Sequence, residues 1–336
     1  MKNLLAFFCA ILVLPMFCHA GQEKGTRFSS SDGAIATLQL HVTDDKGTPV
    51  EGATVWVNFW KPGSSEGNQA FGETDENGNV TLSERCYSDG WYGIEKDGYY
   101  RTRKRIVTPP YDSEYMEEGF IRLHWKKPFV STESLRPIKN PCPMIAQQGI
   151  RLDVPETNVP LGFDLEKMDW VAPYGAGTFN DVYITITTQL KHVGKNDWPI
   201  VTVVTFNFPN NDDGMQVLDL QEWSRLNSVY HADSTLGFSQ AIQFTGKEGT
   251  SRYDIIPRSK YIVFRVRTKR SPTGEIISAY YGKLYPWFDV TPETFSIMRG
   301  YFNPVPNDTN LEFDPERNLA PDETLEQHRR RRVYLP

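Results

Sequence analysis

Two tryptophans of the chain are spaced so that one face of a strand would carry both. Trp56 and Trp60 stand four residues apart in the segment 53–60, whose apolar core-type residues occupy the alternate positions. Successive side chains of a strand point to opposite faces, so both indoles face away from the core, about 13 Å apart along the strand. Flat rings on an exposed face can stack against sugar rings. We therefore predict Trp56 and Trp60 as ligand-binding residues; burial of both rings in a packing interface is the alternative.

Clusters of side chains with oxygen atoms are the next candidates for a catalytic or metal-binding role. Asp164, Glu166 and Asp169 share one short segment. Glycosidases use two carboxylates, but these flank the scissile bond and normally come from separate elements. We expect the three acids to cap a loop instead. Residues 75–79 alternate Asp and Asn as a calcium loop does, yet the glutamate that completes such a loop is missing, so we predict a hairpin turn there.

Sequence motifs for catalysis or metal binding are missing from the chain. It contains no dinucleotide-binding, phosphate-loop, nucleophile-elbow or zinc-protease motif, and its six histidines lie far apart. We predict no catalytic residue, no metal and no cofactor. Because catalytic groups can converge in space from distant positions, the alternative is a secreted hydrolase. Its site would lie in the second domain and would involve Asp164, Asp169 or His231.

The first twenty residues have the pattern of a secretory signal peptide. Lys2 precedes an apolar stretch at 4–17, and Cys18 and Ala20 place small residues two apart before Gly21. The stretch is short for a membrane span, and Phe17 does not fit the site that precedes a lipid-modified cysteine. We predict cleavage after Ala20 (signal peptide 1–20) and export to the periplasm or the cell exterior, with no transmembrane segment in the mature chain.

Length and charge restrict the class of protein further. The chain has 336 residues, of which 39% are hydrophobic, enough for about two domains with real cores. Its 36 basic and 42 acidic side chains give a net charge of −6, the wrong sign for coating a nucleic acid. We predict no nucleic-acid partner and leave the oligomeric state open.

Two cysteines remain after the predicted leader. These are Cys86 and Cys142, and an even number of cysteines in an oxidising compartment favours pairing. We therefore predict a disulfide between them, with two free thiols as the alternative. No histidine lies at ligand spacing from either cysteine, which argues against a metal site. The bond would join the first domain to the start of the connector.

Period-two alternation predicts strands throughout the mature chain. Val182, Ile184 and Ile186 alternate with polar residues, as do many short runs separated by Gly and Asp turns. This pattern predicts an all-β protein of two antiparallel β-sandwich domains. Prolines at 128, 137, 141 and 143 predict a stiff connector over 128–143. The domains would span 34–127 and 144–315.

Three motifs in the first domain carry a family resemblance. They are the segment 42–55 with Gly47, Pro49 and Gly52, then Thr74-Asp75-Glu76-Asn77-Gly78, then Ile94-Glu95-Lys96-Asp97-Gly98-Tyr99. In this order they resemble the carboxypeptidase regulatory-like domain, a transthyretin-type β-sandwich, over about 34–127. The resemblance implies a domain without peptidase chemistry that acts in folding, adhesion or presentation. The second region is similar to regions that follow such a sandwich in bacterial secreted proteins without an assigned activity.

The last residues form a basic tail, 316–336. A short helix is predicted here, because acidic residues near 322 would lie at its positive N-terminal end and the arginines at 329–332 at its negative C-terminal end. Leu325 is nearly the only apolar residue that could pack this helix against the protein. We expect a solvated tail; binding of its arginines to an anionic surface is the alternative. Taken together, the sequence predicts a non-enzymatic exported protein with a binding or envelope-structural role, whose partner is a cell-envelope glycan or protein.

Overall fold

The computed structural model describes most of the chain. It describes residues 34–61, 67–86, 90–106, 128–193, 196–220, 228–233, 235–247, 255–257, 259–285 and 288–333, with side chains left out over 190–200. The predicted signal peptide at 1–20 and the end of the predicted first domain, 107–127, lie outside the described residues. The chain divides into two compact units, Met1–Pro137 and Ile138–Pro336.

The first unit is built from two facing sheets. Its strands are β1 (Ala34–Thr43), β2 (Thr54–Phe59), β3 (Asn68–Glu73), β4 (Asn79–Cys86), β5 (Gly90–Glu95), β6 (Thr102–Ile106) and β7 (Phe129–Ser134). One sheet has the order β4-β1-β7 and the other β3-β2-β5-β6. All pairs are antiparallel except β1 with β7, which is parallel.

The core of this unit comes from the alternating residues that predicted the strands. Leu38 and Leu40 of β1 face Val55 and Val57 of β2, and all four are essentially buried. Burying alternate residues of both sheets removes apolar area from water, which is the main force holding a sandwich together.

Tight turns connect the strands where the sequence predicted them. The Asp75 carboxylate accepts hydrogen bonds from the backbone N–H groups of Asn77 and Asn79, so 75–79 is the predicted hairpin turn. Gly78 has φ +74°, and a Cβ there would lie 2.3 Å from the carbonyl oxygen of Val42. Only glycine fits this position without moving the backbone.

The first half of the predicted connector is a strand. β7 belongs to the first unit, where Glu133 and Leu135 are buried, and the chain divides after Pro137. The prolines at 128 and 137 therefore flank a strand that completes the three-stranded sheet. The difference has a simple cause: proline marks the ends of a strand as readily as it marks a linker, and the residues between these two prolines alternate between inward and outward directions.

The second unit is a larger sandwich. Its strands are β8 (Ile145–Asp153), β9 (Leu161–Asp164), β10 (Asp169–Trp170), β11 (Val182–Val193), β12 (Asn196–Asn207), β13 (Gly214–Asp219), β14 (Ala241–Lys247), β15 (Lys260–Arg270), β16 (Ile276–Tyr285), β17 (Asp289–Val290) and β18 (Thr294–Asn303). A five-stranded sheet has the order β10-β9-β11-β12-β14. A six-stranded sheet has the order β13-β15-β16-β18-β17, with β8 paired to β18.

Both faces of the six-stranded sheet are covered. Between the two sheets lies a core that includes Phe163, Phe206 and Phe264. On the opposite face a second cluster includes Tyr301 and the tail residue Val333. The all-β fold predicted from alternation is thus confirmed.

The basic tail is docked on the second unit, contrary to the solvated tail expected from the sequence. A 3₁₀ helix (Pro315–Arg317) precedes the short helix α1 (Leu325–Arg330), whose capping box joins Thr324 and Gln327. The Asn318 side chain accepts from the Ala146 N–H and donates to the Ala146 carbonyl. The sequence pattern did not reveal this anchor because Asn318 bonds to a residue 172 positions away in the chain.

Candidate functional site

An exposed aromatic surface lies on the outer face of the four-stranded sheet in the first unit. We call it the aromatic face and define it by Trp56, Phe71, Trp91, Arg103 and Arg105. The strand register places Phe71, Trp56 and Arg103 in one cross-strand row and Trp91 and Arg105 in the adjacent row. All four strands of the sheet thus contribute to a single surface.

Alternation along each strand explains why these side chains point outward. In β2, Val55 and Val57 are fully buried, which places Trp56 between them on the opposite face. In β5, Tyr92 is buried, and its neighbour Trp91 is 43% exposed. Phe71 of β3 is 65% exposed. Large aromatic side chains that stay exposed on one sheet face are a common mark of an interaction site.

Gly93 determines how Trp56 lies on the sheet. Gly93 pairs with Trp56 across β2 and β5, and a Cβ at position 93 would come within 2.4 Å of the indole Cε2 and Cζ2 atoms. The indole therefore rests over the glycine backbone and is half-buried. A residue with a side chain at this position would lift the ring away from the sheet.

Arg103 lies between the two indoles. Its guanidinium carbon is 5.6 Å from the ring centre of Trp56 and 5.1 Å from that of Trp91. Arg105 lies 6.0 Å from the ring centre of Trp91. These are cation–π distances, which order the long arginine side chains against the rings. The face therefore combines flat apolar area with two exposed positive charges.

A partly buried ion pair joins the strands beneath this face. The Lys104 ammonium lies 2.6 Å from a Glu133 carboxylate oxygen, and the Tyr92 hydroxyl donates to Glu133 at 2.5 Å. Burial, together with the charge of Glu133, raises the pKa of Tyr92 well above its usual value. Because Glu133 belongs to β7, this network connects the two sheets of the first unit and stiffens the aromatic face.

The structure places the two predicted tryptophans differently. Trp56 lies in the aromatic face, whereas Trp60 follows the end of β2 and is 40% exposed. Sequence reasoning missed Trp91, Arg103 and Arg105, although the alternation of Trp91 with Tyr92 and Ile94 was a usable signal. Ligand binding by Trp56 and Trp60 stays a prediction.

The acids of the second unit serve its loops and core, as expected. Asp164 is fully buried and accepts hydrogen bonds from the backbone N–H groups of Glu166, Lys167, Thr178 and Phe179. Asp169 accepts from the N–H of Ala176. Asp164 and Asp169 face each other across β9 and β10, while His231 pairs with Asn310 elsewhere in the unit.

Arg267 joins these acids into one ion cluster. Its guanidinium lies 2.8 Å from Asp181, pairs with Glu166 at 2.5 Å, and also reaches Asp164. Burial raises the pKa of Asp181, while the hydrogen bonds and charge of Arg267 act in the opposite direction. The backbone of Arg267 has φ +55°, and its N–H donates to Asp213. The cluster has the character of a structural support between loops.

The described residues hold neither a metal-ligand cluster nor a membrane-spanning helix. Within those ranges, His, Cys, Asp and Glu side chains form no group of three or more that could hold a metal ion. The helices that the structure describes include none long and apolar enough to span a bilayer.

Cys86 and Cys142 are present as thiols. Cys86 is buried in the core of the first unit, and Cys142 is half-buried in the second. Burial, reinforced by the nearby charge of Asp308, raises the pKa of the Cys142 thiol to about 11. The predicted disulfide is therefore not formed in this structure, and the pairing stays a prediction for the exported protein.

Comparison with known proteins gives matches among solved structures alone. No family model matches the chain, and no curated sequence matches it. Among solved structures, a candidate carbohydrate-binding protein from Bacteroides uniformis is 10% identical, with 82% of this chain and 99% of that chain covered and a TM-score of 0.18. A DUF3823 family protein from Parabacteroides merdae is 8% identical, with coverages of 81% and 100% and a TM-score of 0.19.

Part of the chain is also similar to dioxygenases. Hydroxyquinol 1,2-dioxygenase from Pseudomonas putida is 14% identical, with a TM-score of 0.24. The match covers 34% of this chain and only 60% of the dioxygenase's own length. TM-scores this low carry no argument about what this chain does.

Proposed function

We propose that this chain is a non-enzymatic exported binding protein whose first unit holds a cell-envelope glycan on the aromatic face. The observation that carries the proposal is the placement of Trp56 and Trp91 on neighbouring strands, with Arg103 between their rings. Export rests on the signal-peptide pattern of residues 1–20.

The chemistry of the face suits a carbohydrate. An indole offers a large, flat apolar surface that loses little conformational entropy on binding, and sugar rings present flat C–H faces of similar size. The rings are already ordered, because Trp56 rests on Gly93 and Arg103 packs against both indoles. A rigid sheet that displays ordered aromatic rings binds with a smaller ordering cost than a mobile loop does.

The arginines narrow the class of glycan. Arg103 and Arg105 are exposed at the ends of the two cross-strand rows. A guanidinium can donate two parallel hydrogen bonds to a carboxylate or sulfate group. We infer that the ligand is an acidic polysaccharide, whose sugar rings stack on the indoles and whose anionic groups meet the arginines.

The family and domain assignments belong to the same proposal. We propose that the first unit is a carboxypeptidase regulatory-like sandwich and that the two compact units are the two predicted domains. The ordered motifs at 42–55, 74–78 and 94–99 support the first assignment, and the positive φ of Gly47 and Gly78 fits their turns. In this assignment the domain extends past 127 to include β7.

Retention of the mature full chain on polysaccharides tests the proposal. Trp91→Ala and Trp56→Ala should each weaken retention on an insoluble acidic polysaccharide about 30-fold, the effect of removing a strong hot-spot residue. Arg103→Gln should weaken retention on the acidic polysaccharide more than retention on a neutral one, because it removes the charge as well as the packing against the indoles. Tyr174→Ala is the control, because Tyr174 is a comparably exposed aromatic (51%) of the second unit.

The outcomes separate the ligand classes. Equal retention of the wild type, Trp56→Ala and Trp91→Ala proteins on every polysaccharide would overturn the glycan proposal. Loss of binding to envelope proteins in the same variants, without any effect on polysaccharides, would identify a protein ligand instead.

A further inference from the structure

The two edges of the aromatic face carry opposite charges. At one edge, the outward residues of β6 are Arg103 and Arg105. At the other edge, the outward residues of β3 are Gln69, Phe71 and Glu73. The strand register and the alternation of buried and exposed residues place all five side chains on the same side of the sheet. The face therefore has a basic edge on β6 and an edge on β3 that ends in a carboxylate.

These two edges are too far apart for their charges to cancel. In the sheet order, β5 and β2 separate β6 from β3. Neighbouring strands lie about 4.8 Å apart, so the two edges are about 14 Å apart, whereas exposed charges are screened over about 8 Å at physiological ionic strength. Each edge therefore acts on its own end of a bound chain.

Glu73 is the charge that distinguishes the β3 edge. Its side chain is exposed, and no ion pair to it occurs among the residues that the structure describes. Glu95, another outward carboxylate of this sheet, pairs with Arg101 at 2.6 Å. A sugar ring stacked on Trp56 and Phe71 would lie close to Glu73, which follows Phe71 by two positions in β3. A negative charge on that sugar would be repelled.

The two indoles are close enough for one chain to contact both. Gly93 pairs with Trp56, and Trp91 precedes Gly93 by two positions in β5, so the two tryptophans are diagonal neighbours across the strands. Such neighbours lie about 7–8 Å apart. Arg103 packs against both rings and keeps them ordered. Two residues of one oligosaccharide can therefore stack on the two indoles, one residue towards each edge.

We propose that the aromatic face selects a polysaccharide in which acidic and neutral sugar residues alternate. This inference rests on the proposed function, since it assigns the two edges of the same face to two residues of the bound glycan. The acidic residue stacks on Trp91, and its carboxylate accepts hydrogen bonds from Arg103. The neutral residue stacks on Trp56 and Phe71, and its hydroxyl groups donate to Glu73. A chain with a carboxylate on every residue brings a like charge to Glu73 and is held more weakly.

Calorimetric titration of the mature full chain at low salt tests this selection. The probes are a hyaluronan tetrasaccharide, in which acidic and neutral residues alternate, tetragalacturonate, which has a carboxylate on every residue, and neutral cellotetraose. The wild type should bind the hyaluronan tetrasaccharide several-fold more tightly than either other probe. Glu73→Gln should strengthen tetragalacturonate binding about two- to threefold, the effect of removing one like charge about 8 Å away in water. Its amide oxygen still accepts hydrogen bonds, so hyaluronan binding should not change.

Glu156→Gln is the matched control, because Glu156 is an exposed carboxylate of the second unit. This variant changes the net charge of the chain equally and should bind all three probes as the wild type does. Glu73→Lys replaces the repulsion by attraction. It should bind tetragalacturonate still more tightly than Glu73→Gln does.

The outcomes separate this inference from the proposed function. The proposed function fails if Trp56→Ala and Trp91→Ala bind the hyaluronan tetrasaccharide as the wild type does. If these two variants lose binding, the selection alone is overturned by either of two results. One is a wild type that holds tetragalacturonate as tightly as the hyaluronan tetrasaccharide, and the other is equal binding of tetragalacturonate by Glu73→Gln and Glu156→Gln. A wild type that binds none of the three probes also overturns the selection.

Discussion

Replacing Gly93 by alanine is the sharpest test of how the aromatic face is built. The new Cβ would lie 2.4 Å from two indole carbons of Trp56, whereas ordinary carbon contacts are about 3.5–4.0 Å. The ring must therefore retreat by more than about 1 Å, away from the sheet. Overpacking of this kind costs about 1–3 kcal/mol, and the lower backbone entropy of unfolded alanine returns about 0.5–1 kcal/mol. We expect a net destabilisation of about 1 kcal/mol.

The same change should disturb binding more than stability. With the indole of Trp56 tilted off the sheet, Trp56 and Trp91 no longer share a surface with Arg103. Urea unfolding measures the first effect, and retention on an acidic polysaccharide measures the second. Tryptophan fluorescence should also shift to longer wavelength as the half-buried indole becomes exposed.

Gly237→Ala is the control, because a Cβ at Gly237 meets no atom within 4 Å and its φ is not positive. Its unfolding midpoint and its retention should match those of the wild type. If Gly93→Ala also unfolds at the wild-type midpoint and is retained equally well, the close approach of Trp56 to Gly93 does not position the indole, and the reasoning about the face is refuted.

Three further predictions concern the second unit. Arg267→Met should destabilise the second unit by about 3–5 kcal/mol in urea unfolding, because Asp181 stays buried without its partner. Adding Asp181→Asn should recover part of this loss. If the double variant recovers nothing, the ion-pair explanation is contradicted. Asn318→Ala should release the tail at a cost of about 2 kcal/mol, seen as faster hydrogen exchange in β8 and α1. Cys142, with its pKa raised from 9.0 to about 11, should react with iodoacetamide up to about 100-fold more slowly than an ordinary thiol at neutral pH. The rate of reaction should keep rising with pH up to about 11. A rate that levels off near pH 9, or a cysteine that reacts only after a reductant is added, would contradict the buried thiol described above.

Much of the fold could be predicted because strand signals are local. Alternation in 53–60 predicted that Val55 and Val57 face inward and that Trp56 faces outward, and β2 confirms it. The turn at 75–79 followed from Asp75 and Gly78 in the same way. The connector was predicted too long because proline marks the ends of a strand as readily as it marks a linker.

The aromatic face could be predicted only in part. The outward direction of Trp56 was readable, but the strand that lies beside it was not. Arg103 reaches Trp56 because β5 lies between β2 and β6 in the sheet, with Gly93 in register beneath the indole. Sheet order and register depend on the collective packing of all strands, which no short segment encodes by itself.

The all-β character, the inward and outward sides of most strands and the turn positions each depend on residues within a few positions of one another, so they could be predicted from local patterns. Which side chains meet depends instead on tertiary packing. Arg267 contacts Asp181 across 86 positions of the chain, and Asn318 contacts Ala146 across 172. Such contacts form only when the sheets pair and pack. Bringing distant residues together costs conformational entropy of the chain between them, and burial of the whole core offsets that cost.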